Sequence, residues 1–199
     1  MKKFDLYLEL IISWQKKFNL IGAKTLKEVW IRHFCDSAKL LVFLDHGFFG
    51  SQKKNRKILD IGSGAGFPGL VMAILLDEKG NKVKITLIES SQKKAKFLEE
   101  VINVLKLKVV VVNKRVEDLE KCSFDFITAR AVSPLKKLLD LMYPLTKKNT
   151  CFIIPKGKMW EKEIESIRKK WKFSKIVVKN DVKIDKSGGV VLLIKNLKR

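Results

Sequence analysis

The chain has 199 residues, an apolar fraction of 46% and a formal net charge of +21, from 42 Lys and Arg against 21 Asp and Glu. That length and apolar content suffice for one globular domain with an appendage, and the positive excess suits a polyanion, nucleic acid ahead of an acidic membrane surface. Three scattered cysteines without a CxxC pair, and only two histidines, speak against a zinc site or a disulfide framework and for a reducing cytoplasm. No apolar run approaches a membrane span, and Asp5 and Glu9 interrupt the N-terminal MKKFDLYLELII too early for a signal peptide.

Residues 3–18 place Phe4, Leu8, Ile11 and Ile12 at helical spacing, and residues 19–22 break the pattern. A second helix is expected over about 26–44, with Thr25 as N-cap and Glu28 completing a capping box. Trp30, Phe34, Ala38 and Leu41 would line its buried face. On the same helix Arg32 with Asp36, and His33 with Ser37, stand at i, i+4 and can pair, or can simply face solvent. Residues 1–45 therefore read as a helical cap. Residues 46–57 read as a linker, with Gly47 and Gly50, no periodicity, and a basic end containing Lys53, Lys54 and Arg56.

From residue 58 to 199 the segments alternate. A strand at 57–61 leads through a glycine-rich turn to a helix at 67–78. A strand at 83–89 follows, then a helix capped by Ser90 or Ser91 and reaching about Leu105. The β-branched run at 108–112 is expected to be a strand buried on both faces. A short turn or helix at 116–121 precedes a strand at 124–128. Ser133 and Pro134 read as the N-cap and first residue of a helix running to about Tyr143. A strand at 150–154, a helix at 158–171 and two strands at about 173–184 and 190–195, joined by a turn at 186–189, complete the chain. The expected fold is α/β and Rossmann-like: a mostly parallel seven-stranded sheet ending in an antiparallel hairpin, with an N-terminal helical cap.

The most informative stretch is residues 57–73, KILDIGSGAGFPGLVMA. A strand carrying Asp60 runs into Gly62, Gly64 and Gly66, then into a helix, which is the binding corner of a doubly wound sheet. The dinucleotide fingerprint asks for glycine at its sixth place, where this chain has Phe67, and that weakens a pyrophosphate-binding reading. Glu89 ends the second strand, where a carboxylate can accept both hydroxyls of a ribose. Turn and acid together point to a nucleoside-type cofactor without saying which.

Five blocks then match in order. They are NLIGAKTLKEVWIRHFCDS (19–37), LDIGSGAGFPGL (59–70), IESSQKKAKFL (88–98), NKRVEDL (113–119), and TARAVSPLKKLL with IPKGK (128–139 and 154–158). In these blocks the chain resembles the small-subunit ribosomal RNA methyltransferases that modify guanine N7, the glucose-inhibited division protein B family. It departs from them in having Glu89 where Asp is usual, and Thr128-Ala129-Arg130 where Ser-Arg-Ala is usual. The resemblance implies a class I S-adenosylmethionine-dependent methyltransferase fold, S-adenosylmethionine as cofactor, and methyl transfer to N7 of a guanine in 16S rRNA, nominally position 527. It implies that Asp60, Gly62, Gly64, Gly66 and Phe67 form the cofactor loop, with Gly62 and Phe67 flanking the methionine and adenosine moieties. It further implies that Glu89 binds ribose, that Val116 and Glu117 hold the adenine, and that Arg130 reaches the cofactor or the target pocket. The partner would be 16S rRNA or the small ribosomal subunit, the location cytoplasmic, and the protein a monomer with no metal.

Guanine N7 carries an exposed lone pair and no proton, so attack on a sulfonium methyl needs no general base and the protein's work is positioning. Arg130 and Lys156 lie at the carboxyl ends of strands four and five and are candidates to orient the guanine or its phosphate. Arg32 and His33 are expected to reach RNA from the cap. Lys53, Lys54, Arg56, Lys93, Lys94, Lys96, Lys136, Lys137 and Lys158 are candidate phosphate contacts, and the cysteines are expected in the core. Two other classes compete. A nucleotide-dependent oxidoreductase would need a hydride-transfer set such as Ser-Tyr-Lys, and neither Tyr7 nor Tyr143 lies in one. A non-catalytic RNA-binding scaffold would not need the intact loop at 62–69.

Overall fold

The computed structural model describes residues 2–45, 56–81, 83–120, 122–179 and 189–199. Strands β1 (Lys57–Ile61), β2 (Lys84–Ile88), β3 (Val109–Val112), β4 (Phe126–Ala129) and β5 (Cys151–Lys156) are parallel. Strands β6 (Lys172–Lys179) and β7 (Val190–Lys198) form the antiparallel hairpin, and the sheet order is β3-β2-β1-β4-β5-β7-β6. The seven-stranded sheet thus matches expectation; the turn residues 186–188 and residues 180–184 lie outside the described residues. The order reverses between β1 and β4, and the crevice outside the carboxyl ends of strands at such a switch is where ligands bind in open α/β sheets.

Helices α1 (Lys2–Gln15), α2 (Gly69–Glu78) and α3 (Gln92–Leu105) pack into one core, and α4 (Leu135–Met142) and α5 (Trp160–Ile167) into a second. Helix α2 is apolar around its circumference because it is covered by the sheet and by the N-terminal helices. The N-terminal segment has no core of its own. Tyr7 and Ile11 are fully buried, and Tyr7 stacks on Phe67 and Phe97. Trp14 Nε1 donates to Glu100 on α3 at 3.0 Å, and Lys3 pairs with Asp77 on α2 at 2.6 Å. After α1 the Gln15 side chain ties down the turn: its Oε1 accepts from the amides of Leu20 and Ile21.

The second helix is not the regular one expected. Residues 23–45 form an irregular helical run: α-turns at Ala23–Leu26, Asp36–Ala38 and Val42–Asp45, a π-turn at Trp30–Cys35 and a 3₁₀ turn at Lys39–Leu41. Gly22, not Thr25, is the N-cap, and Thr25 Oγ1 donates to the Gly22 carbonyl at 2.8 Å. The wider π-turn changes which side chains share a face. Arg32 pairs with Glu28 at 3.7 Å and Asp36 with Lys39 at 3.0 Å, so neither candidate i, i+4 pair forms. Trp30 is 42% exposed rather than core, packed against Phe4 and Phe34.

Three further expectations are corrected. Strand β3 sits at the sheet edge, so its β-branched run is not buried on both faces and Val110 is 58% exposed. Helix α4 begins at Leu135 with Pro134 in the cap position, and the Leu135 amide is taken by Glu163 of α5 at 2.6 Å rather than by Ser133. Only Cys151 is in the core; Cys35 and Cys122 are exposed.

Candidate active site

The loop between β1 and α2 is shaped by left-handed glycines, with φ of 65° at Gly62, 57° at Gly64 and 90° at Gly66. A Cβ on Gly62 would stand 2.6 Å from Val132 Cγ2, so side-chain-free backbone is required there. Two buried carboxylates hold the loop. Asp60 Oδ2 accepts the Gly69 amide at 3.1 Å at the start of α2, while its Oδ1 has no partner among the described residues. Burial pushes the Asp60 carboxyl up to about 7. Glu89, 6% exposed, uses both oxygens: Oε2 accepts the Gly64 amide and Oε1 the Ser91 amide, each at 2.8 Å. Asn113 Nδ2 donates to the Glu89 carbonyl at 2.7 Å, fixing the end of β2. The acid expected at a ribose therefore sets the loop and lines neither of the clefts described below, while each of its oxygens keeps a second lone pair.

Beside the loop a cleft of about 170 Å³ opens over the carboxyl ends of β1 and β2, lined by Gly62, Ile88, Val116, Glu117, Val132 and Lys137. It brings Gly62, Val116 and Glu117 together, as the resemblance implies. Phe67 is elsewhere: its ring is buried, stacked between Tyr7 (5.6 Å) and His33 (4.8 Å), and lines neither this cleft nor the next. The Tyr7 hydroxyl donates to the Ala65 carbonyl, so α1 grips the glycine loop directly.

Across Val132 and Ser133 lies a second cavity, of about 450 Å³, lined by Arg32, His33, Asp36, Arg130, Lys156 and Glu163 among others. Arg130 Nη2 donates to the Arg32 carbonyl and to His33 Nδ1, both at 2.6 Å, and Nη1 reaches Ser37 Oγ at 3.5 Å. Its guanidinium lies 5.9 Å over the Phe67 ring. His33 Nε2 is 3.0 Å from Thr25 Oγ1, whose proton goes to the Gly22 carbonyl, so Nε2 carries the hydrogen and Nδ1 accepts from Arg130. Burial first, and then the Arg130 charge, lower the His33 pKa to about 4, consistent with a neutral ring. Lys156 Nζ donates to the Ser133 carbonyl at 3.1 Å and pairs with Glu163 at 2.7 Å. Arg32, His33, Arg130 and Lys156, each proposed from sequence, line this one cavity. Glu163 and Thr25 carry no sequence signal for the site; their hydrogen bonds to Lys156 and His33 give them a place in it.

The remaining basic candidates divide. Arg56 precedes β1, at the sheet edge opposite the clefts; its Nη1 donates to the Leu44 carbonyl at 2.5 Å and its guanidinium covers Phe126 at 5.6 Å. Lys53 and Lys54 lie outside the described residues. Lys136, Lys137 and Lys158 are exposed, and Lys137 lines the smaller cleft; on α3 Lys93 and Lys96 are exposed and Lys94 is half-buried. Among the described residues no cluster of His, Cys, Asp and Glu could hold a metal ion, and no helix is long and apolar enough to cross a membrane.

Strand order, glycine loop and acidic strand end define the fold of the class I S-adenosylmethionine-dependent methyltransferases. Solved structures agree at the level of fold. A putative class I S-adenosylmethionine-dependent methyltransferase from Listeria monocytogenes superposes with a TM-score of 0.68 at 13% identity, over 98% of this chain and 67% of that one. TYW2 of M. jannaschii in complex with AdoMet superposes at 0.60 and 19% identity, over 84% and 76%. At the level of sequence, the family described as rRNA small subunit methyltransferase G matches residues 1–191. Ribosomal RNA small subunit methyltransferase G of Paramagnetospirillum magneticum is 34% identical over 200 residues, covering 100% of this chain and 90% of the relative. Its counterpart in Bartonella tribocorum is 36% identical, covering 100% and 88%. The chain belongs to this family.

Proposed function

We propose that this chain transfers a methyl group from S-adenosylmethionine to N7 of a guanine in 16S rRNA, in the cytoplasm, as a step of small-subunit maturation and as a monomer. Family membership supports methylation of 16S rRNA with this donor. The finer reading rests on one observation: the cleft beside the glycine loop and a cation-lined cavity adjoin across Val132 and Ser133 at the sheet switch point.

The residues present fit the cofactor, because a Cβ on Gly62 would collide with Val132 and close the loop side of the cleft. S-adenosylmethionine supplies a sulfonium methyl, whose carbon a nitrogen lone pair can attack as the carbon–sulfur bond breaks and a neutral thioether leaves. Gly62, Val116 and Glu117 would hold the nucleoside, and Asp60, Gly64, Gly66 and Glu89 keep the loop in shape for it. Phe67 would act through its packing beneath the loop. Arg130 and Lys156 would orient the acceptor base, and no side chain has to take a proton, since N7 has none to lose. His33 in the second cavity has both ring nitrogens engaged, Nδ1 by Arg130 and Nε2 with Thr25, which suits a reaction that needs no general base.

Residues 1–45 would act as a cap over the catalytic domain at 58–199, presenting Arg32 and His33 to RNA. Because Tyr7 and Ile11 are core residues, point variants such as Arg32→Ala test this better than truncation. Lys136, Lys137 and Lys158 would contact phosphates, which makes RNA binding steeply salt-dependent. The deciding experiment is transfer of a tritiated methyl from S-adenosylmethionine to 16S rRNA and to small subunits, followed by mapping of the labelled atom. Label on guanine N7 supports the reading; label on any other atom, or none, overturns it.

A further inference from the structure

We infer that Asp36 selects the acceptor base, its carboxylate accepting the N1–H and N2–H of a guanine held in the cavity beside Arg130. This deepens the reading above and rests on it.

Two carboxylates line the cavity. Glu163 is committed to the fold: its Oε2 accepts from Lys156 Nζ at 2.7 Å and from the Leu135 amide at 2.6 Å. Asp36 is not. Its side chain is 25% exposed, its Oδ1 meets Lys39 Nζ at 3.0 Å, and its Oδ2 takes no hydrogen bond from the described residues. It lies on the irregular helical run between His33 and Ser37, the two residues whose side chains hold Arg130. Burial lowers the Arg130 pKa, and Asp36 is foremost among the charges that oppose that shift, as expected of near neighbours facing one cavity.

The chemistry of the bases does the rest. An ionised carboxylate only accepts hydrogen bonds. Among the four RNA bases guanine alone presents two adjacent donors, N1–H and N2–H, on its pairing edge; in each of the others the donor on that edge has only acceptors beside it. A base extruded from a helix is read on that edge. In guanine N7 lies on the adjoining edge, beside O6, with its lone pair at roughly a right angle to N1–H. A guanine bound to Asp36 through N1–H and N2–H therefore keeps N7 free of the carboxylate, and turned to the side of Val132 and Ser133, which line both the cavity and the cleft beside the glycine loop, it would present that lone pair to the methyl donor. Arg130 Nη1, whose partner Ser37 Oγ is 3.5 Å away, is the donor at hand for guanine O6.

The test uses the full chain and two rRNA substrates, one with guanine and one with inosine at the labelled position, inosine lacking the N2 amino group. For Asp36→Asn, kcat/KM on guanine rRNA should fall about 10- to 100-fold, with the affinity for S-adenosylmethionine unchanged. The wild-type protein should prefer guanine to inosine, and Asp36→Asn should bring that ratio close to one. Lys39→Ala, which removes the ion pair but not the carboxylate, should stay within a few-fold of wild type. An unchanged kcat/KM, an unchanged guanine-to-inosine ratio, or an equal loss in Lys39→Ala overturns the inference. If the wild-type protein places no label on guanine N7, the proposed function itself fails, a result distinct from all of these.

Discussion

The two clefts at the carboxyl edge of the sheet are built on different plans. The side proposed for the cofactor takes its loop from backbone: glycines with positive φ, and amides at Gly64, Gly69 and Ser91 pinned by two buried carboxylates, all between residues 60 and 91. The side proposed for the acceptor is side chains, drawn from the cap at Arg32 to Ser37, from Arg130 after β4, and from Lys156 and Glu163 around β5 and α5. A small nucleoside can be held by main chain that only needs the right curvature. A base projecting from a large polyanion needs charges brought in from several directions. The first plan is sensitive to added atoms, the second to lost ones.

The largest effect is expected where the backbone cannot give. Gly66→Ala would place a Cβ 2.5 Å from Leu70 Cδ1 at a φ of 90°. It should cost about 3 kcal/mol of stability in urea unfolding and abolish measurable cofactor affinity by calorimetry. Gly62→Ala should weaken cofactor binding strongly, and adding Val132→Ala should restore part of it, because the clash is with Val132. On the acceptor side, Arg130→Ala leaves His33 Nδ1 and the Arg32 carbonyl without their donor. Turnover on rRNA should drop on the order of 100-fold with cofactor affinity unchanged. Arg130→Lys should not rescue it, since one ammonium cannot reproduce the fork. A matching fall in cofactor affinity would break the division between the two sides. Glu89→Gln exchanges an acceptor of one backbone amide for a donor, and should weaken cofactor binding about tenfold while leaving turnover at saturating cofactor intact.

The smallest effect is in pH dependence, where the two sides oppose each other. His33 is held near 4 against an ordinary 6.5, so its contribution to stability is present above 6.5 and is lost as pH falls toward 4. Asp60 is raised to about 7 from 3.8, so its contribution is full below 3.8 and is lost as pH rises toward 7. Between pH 4 and 6.5 the slopes run in opposite directions. Relative to wild type, the urea midpoint of His33→Gln should improve on acidification and that of Asp60→Asn should worsen. Equal slopes in both variants would contradict the assigned charge states.

What the sequence made legible follows the same division. The alternation of strands and helices, and the glycine loop with Asp60 and Glu89, are local patterns, and the sheet realises them. Local pattern failed where a distant partner decides. The capping signal at Thr25 yields to a run in which Thr25 serves His33 and the Arg32 carbonyl receives Arg130, 98 residues away. The Ser133 signal yields to Glu163, 28 residues beyond the amide it caps. The valines of β3 report strand propensity but not position in the sheet, so an edge strand read as a central one. Arg56 has the composition of an RNA contact and the location of a brace.

The grip of Tyr7 on the Ala65 carbonyl, with its ring laid on Phe67, ties the first helix to the glycine loop. These two stretches can drift only as a pair over evolutionary time. A chimera that imports one from a sister enzyme without the other would mismatch a phenol with the bend it supports, however faithful the graft is at every residue that faces the ligand.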